Sequence, residues 1–175
     1  MIYLYIGKSA AGKDTLCQRH LLQNESILPI ISYTTRPIRD GETDGKDYHF
    51  ISRQKFQEMS NNDEFTEYRY YDTEVNGNKD RWFYGTPKLD ITKDYVGVVE
   101  IDGAIAFIKC YGTDNIDITY VVVDDAERER RASLRGGFDK TEWDRRKKSD
   151  DNDFSEERIK NLEKIYGRQL HVLFN

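Results

Sequence analysis

Ile2-Tyr3-Leu4-Tyr5-Ile6 runs straight into Gly7-Lys8-Ser9-Ala10-Ala11-Gly12-Lys13-Asp14-Thr15. The first five residues form an unbroken apolar run, the pattern of a central strand buried on both faces of a parallel sheet. The next nine place a lysine immediately after the second glycine and lead into an amphipathic stretch carrying Leu16, Leu21 and Leu22. Glycines let backbone amides curl around one anion, the start of a helix adds the positive end of its dipole, and Lys13 reaches the β- and γ-phosphates of a nucleotide. An ordinary glycine-rich turn does not account for that lysine. Gly7, Ser9, Ala10, Ala11, Gly12, Lys13, Asp14 and Thr15 are therefore the expected ATP-binding segment, with Lys13 also acting in catalysis.

One residue departs from the phosphate-loop pattern. Ser or Thr normally follows the lysine and gives its hydroxyl to Mg²⁺, whereas here Asp14 follows and Thr15 comes next. A carboxylate also ligates a hard cation, although its charge repels nearby phosphate. Asp14 is thus an expected metal ligand with unusual affinity.

Outward from this turn, apolar runs at Pro29–Tyr33, Tyr95–Ile101, Ile116–Val123 and Leu170–Phe174 read as further strands. Helices are expected at Lys13–Leu22, Arg53–Asn61, Gly103–Tyr111, Ala126–Leu134, Thr141–Ser149 and Glu156–Tyr166, with Ser52 and Ser155 as N-caps. The alternation predicts an α/β fold, a three-layer arrangement around a mainly parallel sheet. Short, tyrosine-rich strand candidates at Tyr48–Ile51, Phe65–Tyr71 and Trp82–Tyr84, with an Asn76-Gly77 turn signal, point to a small antiparallel sub-domain inserted at 34–86. Residues 127–153 carry Arg128, Arg130, Arg131, Arg135, Arg145, Arg146, Lys147 and Lys148 among few large apolar side chains, which predicts an arginine-rich lid contributing little core. The core is then expected at about 1–33, 87–126 and 154–175.

The 175 residues suit one domain, and the net charge of -5 disfavours a general nucleic-acid or anionic-membrane surface. Cys17 and Cys110 are distant and lack metal spacing, so both are expected as free buried thiols. The amino terminus has neither the basic region of a signal peptide nor the length of a membrane span. A cytoplasmic protein, monomer or homodimer, with no nucleic-acid and no membrane partner, is the expectation.

A second anion site lies in Ser32-Tyr33-Thr34-Thr35-Arg36-Pro37-Ile38-Arg39-Asp40-Gly41-Glu42-Thr43-Asp44-Gly45-Lys46-Asp47-Tyr48-His49-Phe50. Two arginines three apart in a polar loop can fork onto one phosphate. Together with the phosphate loop, this run resembles the guanylate kinases, which carry Ser-x-Thr-Thr-Arg-x-x-Arg, Gly-Glu and Asp-Gly-x-Asp-Tyr-x-Phe. Phe65-Thr66-Glu67-Tyr68, Phe83-Tyr84-Gly85-Thr86 and Glu100-Ile101-Asp102 are similar to later family segments.

The resemblance implies ATP-dependent phosphorylation of GMP, and of dGMP, with Mg²⁺. By position it implies that Arg36, Arg39, Tyr48 and Tyr84 hold the acceptor phosphate, and that Ser32, Glu67, Thr86 and Asp102 read the base. It adds Glu100 to Asp14 as a metal ligand, and Arg135 and Arg146 as catalytic arginines of the lid. The base-reading set is chemically apt. Guanine offers donors at N1 and its exocyclic amine, which carboxylates accept, while hydroxyls can donate to its O6/N7 edge.

Two departures stand out: an extra loop at Asp72–Arg81, and a last strand with only Asn175 after it, where Asn175 itself could serve the adenine. Two other readings remain open. One is a related kinase acting on another small phosphate ester such as a ribose bisphosphate, since enzymes of that kind can carry Asp after the loop lysine. The other is a non-catalytic guanylate-kinase-like binding module, against which the presence of Lys13 argues.

Overall fold

A computed structural model describes residues 1–75, 78–134 and 138–175, with only the backbone described at 74, 75 and 78. The chain divides into two units, Met1–Pro29 with Ile91–Asn175, and Ile30–Asp90.

The first unit is built on five strands, β1 (Ile2–Ile6), β2 (Ile27–Pro29), β7 (Asp94–Val98), β8 (Ile116–Val122) and β9 (His171–Phe174), in the order β2-β7-β1-β8-β9. Every pairing in this sheet is parallel. β1 is central, and Ile2, Leu4 and Ile6 are essentially inaccessible. Its helices are α1 (Lys13–Gln23), α3 (Ile101–Tyr111), α4 (Asp125–Ser133), α5 (Lys140–Asp153) and α6 (Glu156–Tyr166). The α/β fold with a mainly parallel sheet is found as expected.

The expected strand Pro29–Tyr33 is instead two short strands in two sheets. β2 ends at Pro29 in the parallel sheet, and β3 (Tyr33–Thr34) belongs to the second unit. Proline has no N–H to donate, so it suits the end of an edge strand and not the middle of a run. Ile101, expected at a strand end, opens α3, and its side chain is buried there.

The second unit holds β3, β4 (His49–Phe50), β5 (Phe65–Val75) and β6 (Asn78–Pro87) in the order β4-β3-β6-β5, with α2 (Arg53–Asn61). β3–β6 and β5–β6 pair antiparallel, but β3–β4 pair parallel, so the sheet is mixed where an antiparallel one was expected. Ser52 caps α2 by accepting from the Lys55 N–H, whereas Ser155 stands at the cap position of α6 without a side-chain hydrogen bond. Phe56, Met59 and Phe65 form this unit's small core. A side chain at Gly85 would sit 2.8 Å from the Phe65 ring, which requires glycine there. Truncating Phe56 to alanine costs about 3–5 kcal/mol of stability.

The expected loop at Asp72–Arg81 is largely strand. Asp72 pairs across the ladder with Arg81, Tyr71 with Trp82 and Tyr70 with Phe83. Arg81 Nε donates to Asp72 at 2.6 Å, and its guanidinium lies 4.0 Å from the centre of the Tyr70 ring. Cross-strand charge and ring pairs extend these strands; a reading that looks for apolar runs misses them. The Asn76-Gly77 turn signal lies outside the described residues.

Cys110 is exposed and Cys17 half-buried, so neither is the fully buried thiol expected. Among the described residues, no helix is long and apolar enough to cross a membrane.

Candidate functional site

The end of β1 places the phosphate turn. A Cβ at Gly7 would lie 2.5 Å from the Val121 carbonyl oxygen on neighbouring β8, so only glycine lets the chain leave the sheet here. Gly12 occupies the N-cap of α1 in the left-handed region, and Lys13 begins the helix. The Lys13 ammonium donates to the carbonyls of Gly7 at 2.7 Å and Lys8 at 3.0 Å, closing a ring over the turn. Burial pulls this ammonium below its ordinary value, while the carboxylates of Asp14, Asp150 and Glu100 pull it back up. Asp14 and Thr15 are exposed in the first turn of α1, and Glu100 is the N-cap of α3.

Three residues of the turn have partners that the sequence reading did not assign to them. Asp150 of α5 accepts from the Ser9 N–H at 2.9 Å and from its hydroxyl at 3.1 Å. Lys8 pairs with Asp151 at 2.6 Å. The Asn175 side-chain amide and Arg131 both donate to the Ala11 carbonyl, at 2.9 and 3.4 Å.

Arg128, expected in a lid contributing little core, is fully buried and pairs with Asp150 at 2.8 Å. Residues 127–153 therefore do contribute to the core, since Trp143 and Asp150 are buried as well. The signal was present in the spacing: Trp143 and Asp150 are seven apart, two helical turns, and so share one face of α5. Of the two expected lid arginines, Arg146 is exposed and donates to Glu142 at 2.7 Å. Arg135 lies outside the described residues.

In the second unit, Arg36 is 5% exposed and gives both terminal nitrogens to Glu42, at 2.7 and 2.5 Å. Its guanidinium lies 5.1 Å from the Tyr48 ring centre and 5.3 Å from that of Phe50, and the Tyr48 and Tyr84 rings meet edge-on at 5.9 Å. Arg36, Tyr48 and Tyr84 are thus brought together. The exposed Arg39 contributes its backbone N–H to Glu42 at 2.9 Å. The Arg36 fork and the Arg39 amide hold the Glu42 carboxyl well below the usual range, at about 2. Glu42 belongs to the Gly-Glu segment already noted, without a role assigned to it.

Ser32, Thr86 and Glu67 form a chain in the same unit. The Ser32 and Thr86 hydroxyls are 3.2 Å apart, and Thr86 donates to Glu67 at 2.8 Å. Asp102 belongs to the first unit, in the first turn of α3, where it is exposed and accepts from Arg158 at 2.7 Å.

Residues 2–85 match the family model described as guanylate kinase. The guanylate kinase of Clostridioides difficile strain 630 is 40% identical over 111 residues, which are 59% of this chain and 50% of that protein. That of Caulobacter vibrioides is 34% identical over 141 residues, 77% of this chain and 62% of that one. The chain thus spans roughly half to three fifths of the length of the curated relatives it matches. The crystal structure of guanylate kinase from Anaplasma phagocytophilum superposes with a TM-score of 0.61 at 23% identity, covering 99% of this chain and 76% of that one. At that identity the likeness is one of fold. The resemblance read from the motifs stands.

Proposed function

We propose, from the match of residues 2–85 to the family model described as guanylate kinase, that this chain transfers the terminal phosphoryl group of ATP to GMP. ADP and GDP are the products, and dGMP is taken in the same way. The observation that carries this reading is the presence in one chain of a backbone turn closed by Lys13 and, in its second unit, of both a guanidinium set against the Tyr48 and Phe50 rings and a hydroxyl–carboxylate chain.

Gly7 to Thr15 hold the ATP phosphates, with Lys13 balancing charge on the β- and γ-groups. Arg36 and Arg39 take the acceptor phosphate, Tyr48 and Tyr84 wall it, and Glu42 keeps the Arg36 fork aimed until that phosphate arrives. Ser32, Thr86 and Glu67 read guanine. The bond between the γ-phosphorus and the ADP oxygen breaks as an acceptor phosphate oxygen attacks in line. That oxygen is already anionic near neutral pH, so no general base is required. Arg135 and Arg146 offset charge on the transferring group.

The residues present fit a magnesium ion. Magnesium binds through one or two carboxylates plus substrate phosphates and keeps several waters; Asp14 follows Lys13 in the first turn of α1, and Glu100 follows Val99, whose N–H donates to the carbonyl of Tyr5 two residues before Gly7. Asp14 and Glu100 would hold it. Bound there, Mg²⁺ neutralises charge on the ATP phosphates.

Initial rates of ADP release with GMP, dGMP, AMP and a ribose bisphosphate as acceptors test the reading. GMP is expected to exceed AMP in kcat/KM by about a hundredfold or more, because AMP leaves buried polar groups unpaired. A rate with AMP or the sugar phosphate equal to that with GMP would overturn it.

A further inference from the structure

Ser9 and Ala10 are the middle residues of a turn closed by the Ala11 N–H donating to the Lys8 carbonyl at 3.3 Å, and Ala10 sits at φ +59°. A positive φ at the third residue of such a turn normally calls for glycine, because a Cβ there crowds the following carbonyl. With alanine in place the turn disfavours its own shape, so surrounding groups have to impose it.

The surroundings do so through Ser9. Its N–H and hydroxyl donate to Asp150 at 2.9 and 3.1 Å, and its carbonyl accepts from Arg128 at 3.1 Å, which engages every polar group of the residue. Arg128 also donates to Asp150 at 2.8 Å and to Asp125 at 3.0 Å, and its guanidinium lies 5.5 Å from the Trp143 ring centre. Arg128 is fully buried and Asp150 is 9% exposed, so the bond between them is shielded from water.

We propose that Arg128 and Asp150 are positioning residues that clamp Ser9, and through it the left-handed Ala10, keeping the phosphate turn in its binding shape before a nucleotide arrives. The inference deepens the ATP-site reading and rests on it. The pair acts through the shape of the turn and takes no part in the transfer itself.

The test measures ATP and GMP dissociation constants by titration calorimetry, alongside melting temperature, for the wild type, the double variant Arg128→Leu/Asp150→Ala, and that double variant with Ala10→Gly added. Removing both charges together avoids stranding one of them in the interior. The double variant is expected to melt within about 5 °C of the wild type. Its ATP dissociation constant rises about tenfold or more while that for GMP is unchanged, since small misplacements of binding groups are costly. Adding Ala10→Gly recovers most of the loss, because glycine takes the positive φ without a clamp.

A folded double variant with wild-type ATP affinity overturns the proposal. So does an equal loss for ATP and GMP, or a loss that Ala10→Gly leaves in place. Should the double variant fail to fold, Asp150→Asn keeps the side chain's size and decides the matter: ATP binding weakens about threefold if the charged clamp positions the turn, and unchanged binding overturns the proposal. A wild type that binds ATP but does not phosphorylate GMP sinks the acceptor reading alone, and the ATP constants still decide the clamp. A wild type that binds no ATP sinks both.

Discussion

The two proposed anion sites of this molecule are made from different parts of the chain. The phosphate turn is backbone: the proposed cradle is the amides between Gly7 and Lys13, Lys13 bonds back to the carbonyls of Gly7 and Lys8, and α4 and α5 bond to the turn through Arg128 and Asp150. The arginine site of the second unit is made of side chains. Arg36 is aimed by Glu42 and set beside the Tyr48 and Phe50 rings. A backbone cradle is encoded within nine consecutive residues and needs little from elsewhere to be recognised. A side-chain cradle depends on which distant residues the fold brings beside it.

The contrast can be broken or sharpened by substitution. The largest effect is expected from Lys13→Ala, which removes the ammonium that closes the turn. Turnover with ATP and GMP should fall about a thousandfold or more in a steady-state assay, while circular dichroism shows a folded chain. Full activity would end the phosphate-loop assignment.

Arg36→Ala comes next. It strips the fork and leaves Glu42 with the Arg39 N–H but without its guanidinium partner, so KM for GMP should rise about a hundredfold with KM for ATP little changed. Thr86→Val cuts the hydroxyl link between Ser32 and Glu67. A loss of about 1–3 kcal/mol in discrimination between GMP and AMP, read from the ratio of kcat/KM values, is expected.

The smallest effect concerns acid stability. Glu42 is held at about 2 against an ordinary 4.5. Below pH 4.5 the unfolded chain takes up a proton that the folded chain refuses, so Glu42 stabilises the fold fully above that pH and loses its contribution as pH falls from 4.5 toward 2. Glu127 and Glu142, held at about 2 by their arginines, act in the same direction. Urea unfolding of Glu42→Gln should show a shallower fall in stability across this window than the wild type; an identical slope would contradict the pairing.

How much was legible follows from the same contrast. β1, the phosphate turn, α2 and α6 were readable because apolar runs, glycines and caps act over a few residues. Arg36, Tyr48 and Tyr84 could be grouped only through resemblance, since nothing local says that three polar residues 48 positions apart in sequence belong together. The paired strand ends at 72–75 and 78–81 were hidden because their pairing rests on cross-strand partners such as Asp72 and Arg81, each of which alone reads as a loop charge. Arg128 was hidden for a related reason: a buried arginine looks like its exposed neighbours Arg130 and Arg145 until Asp150 and Trp143 are seen beside it. Pro29 went the other way, since its missing N–H marked the end of a strand that the apolar run seemed to extend.

Crossed titrations put the account most directly at risk: ATP and GMP are each titrated calorimetrically into Lys13→Ala and into Arg36→Ala. Two separately built sites require that Lys13→Ala lose ATP and keep GMP, and that Arg36→Ala do the reverse. Were both folded variants to lose both ligands alike, or neither, the division of labour argued for the two units would be wrong.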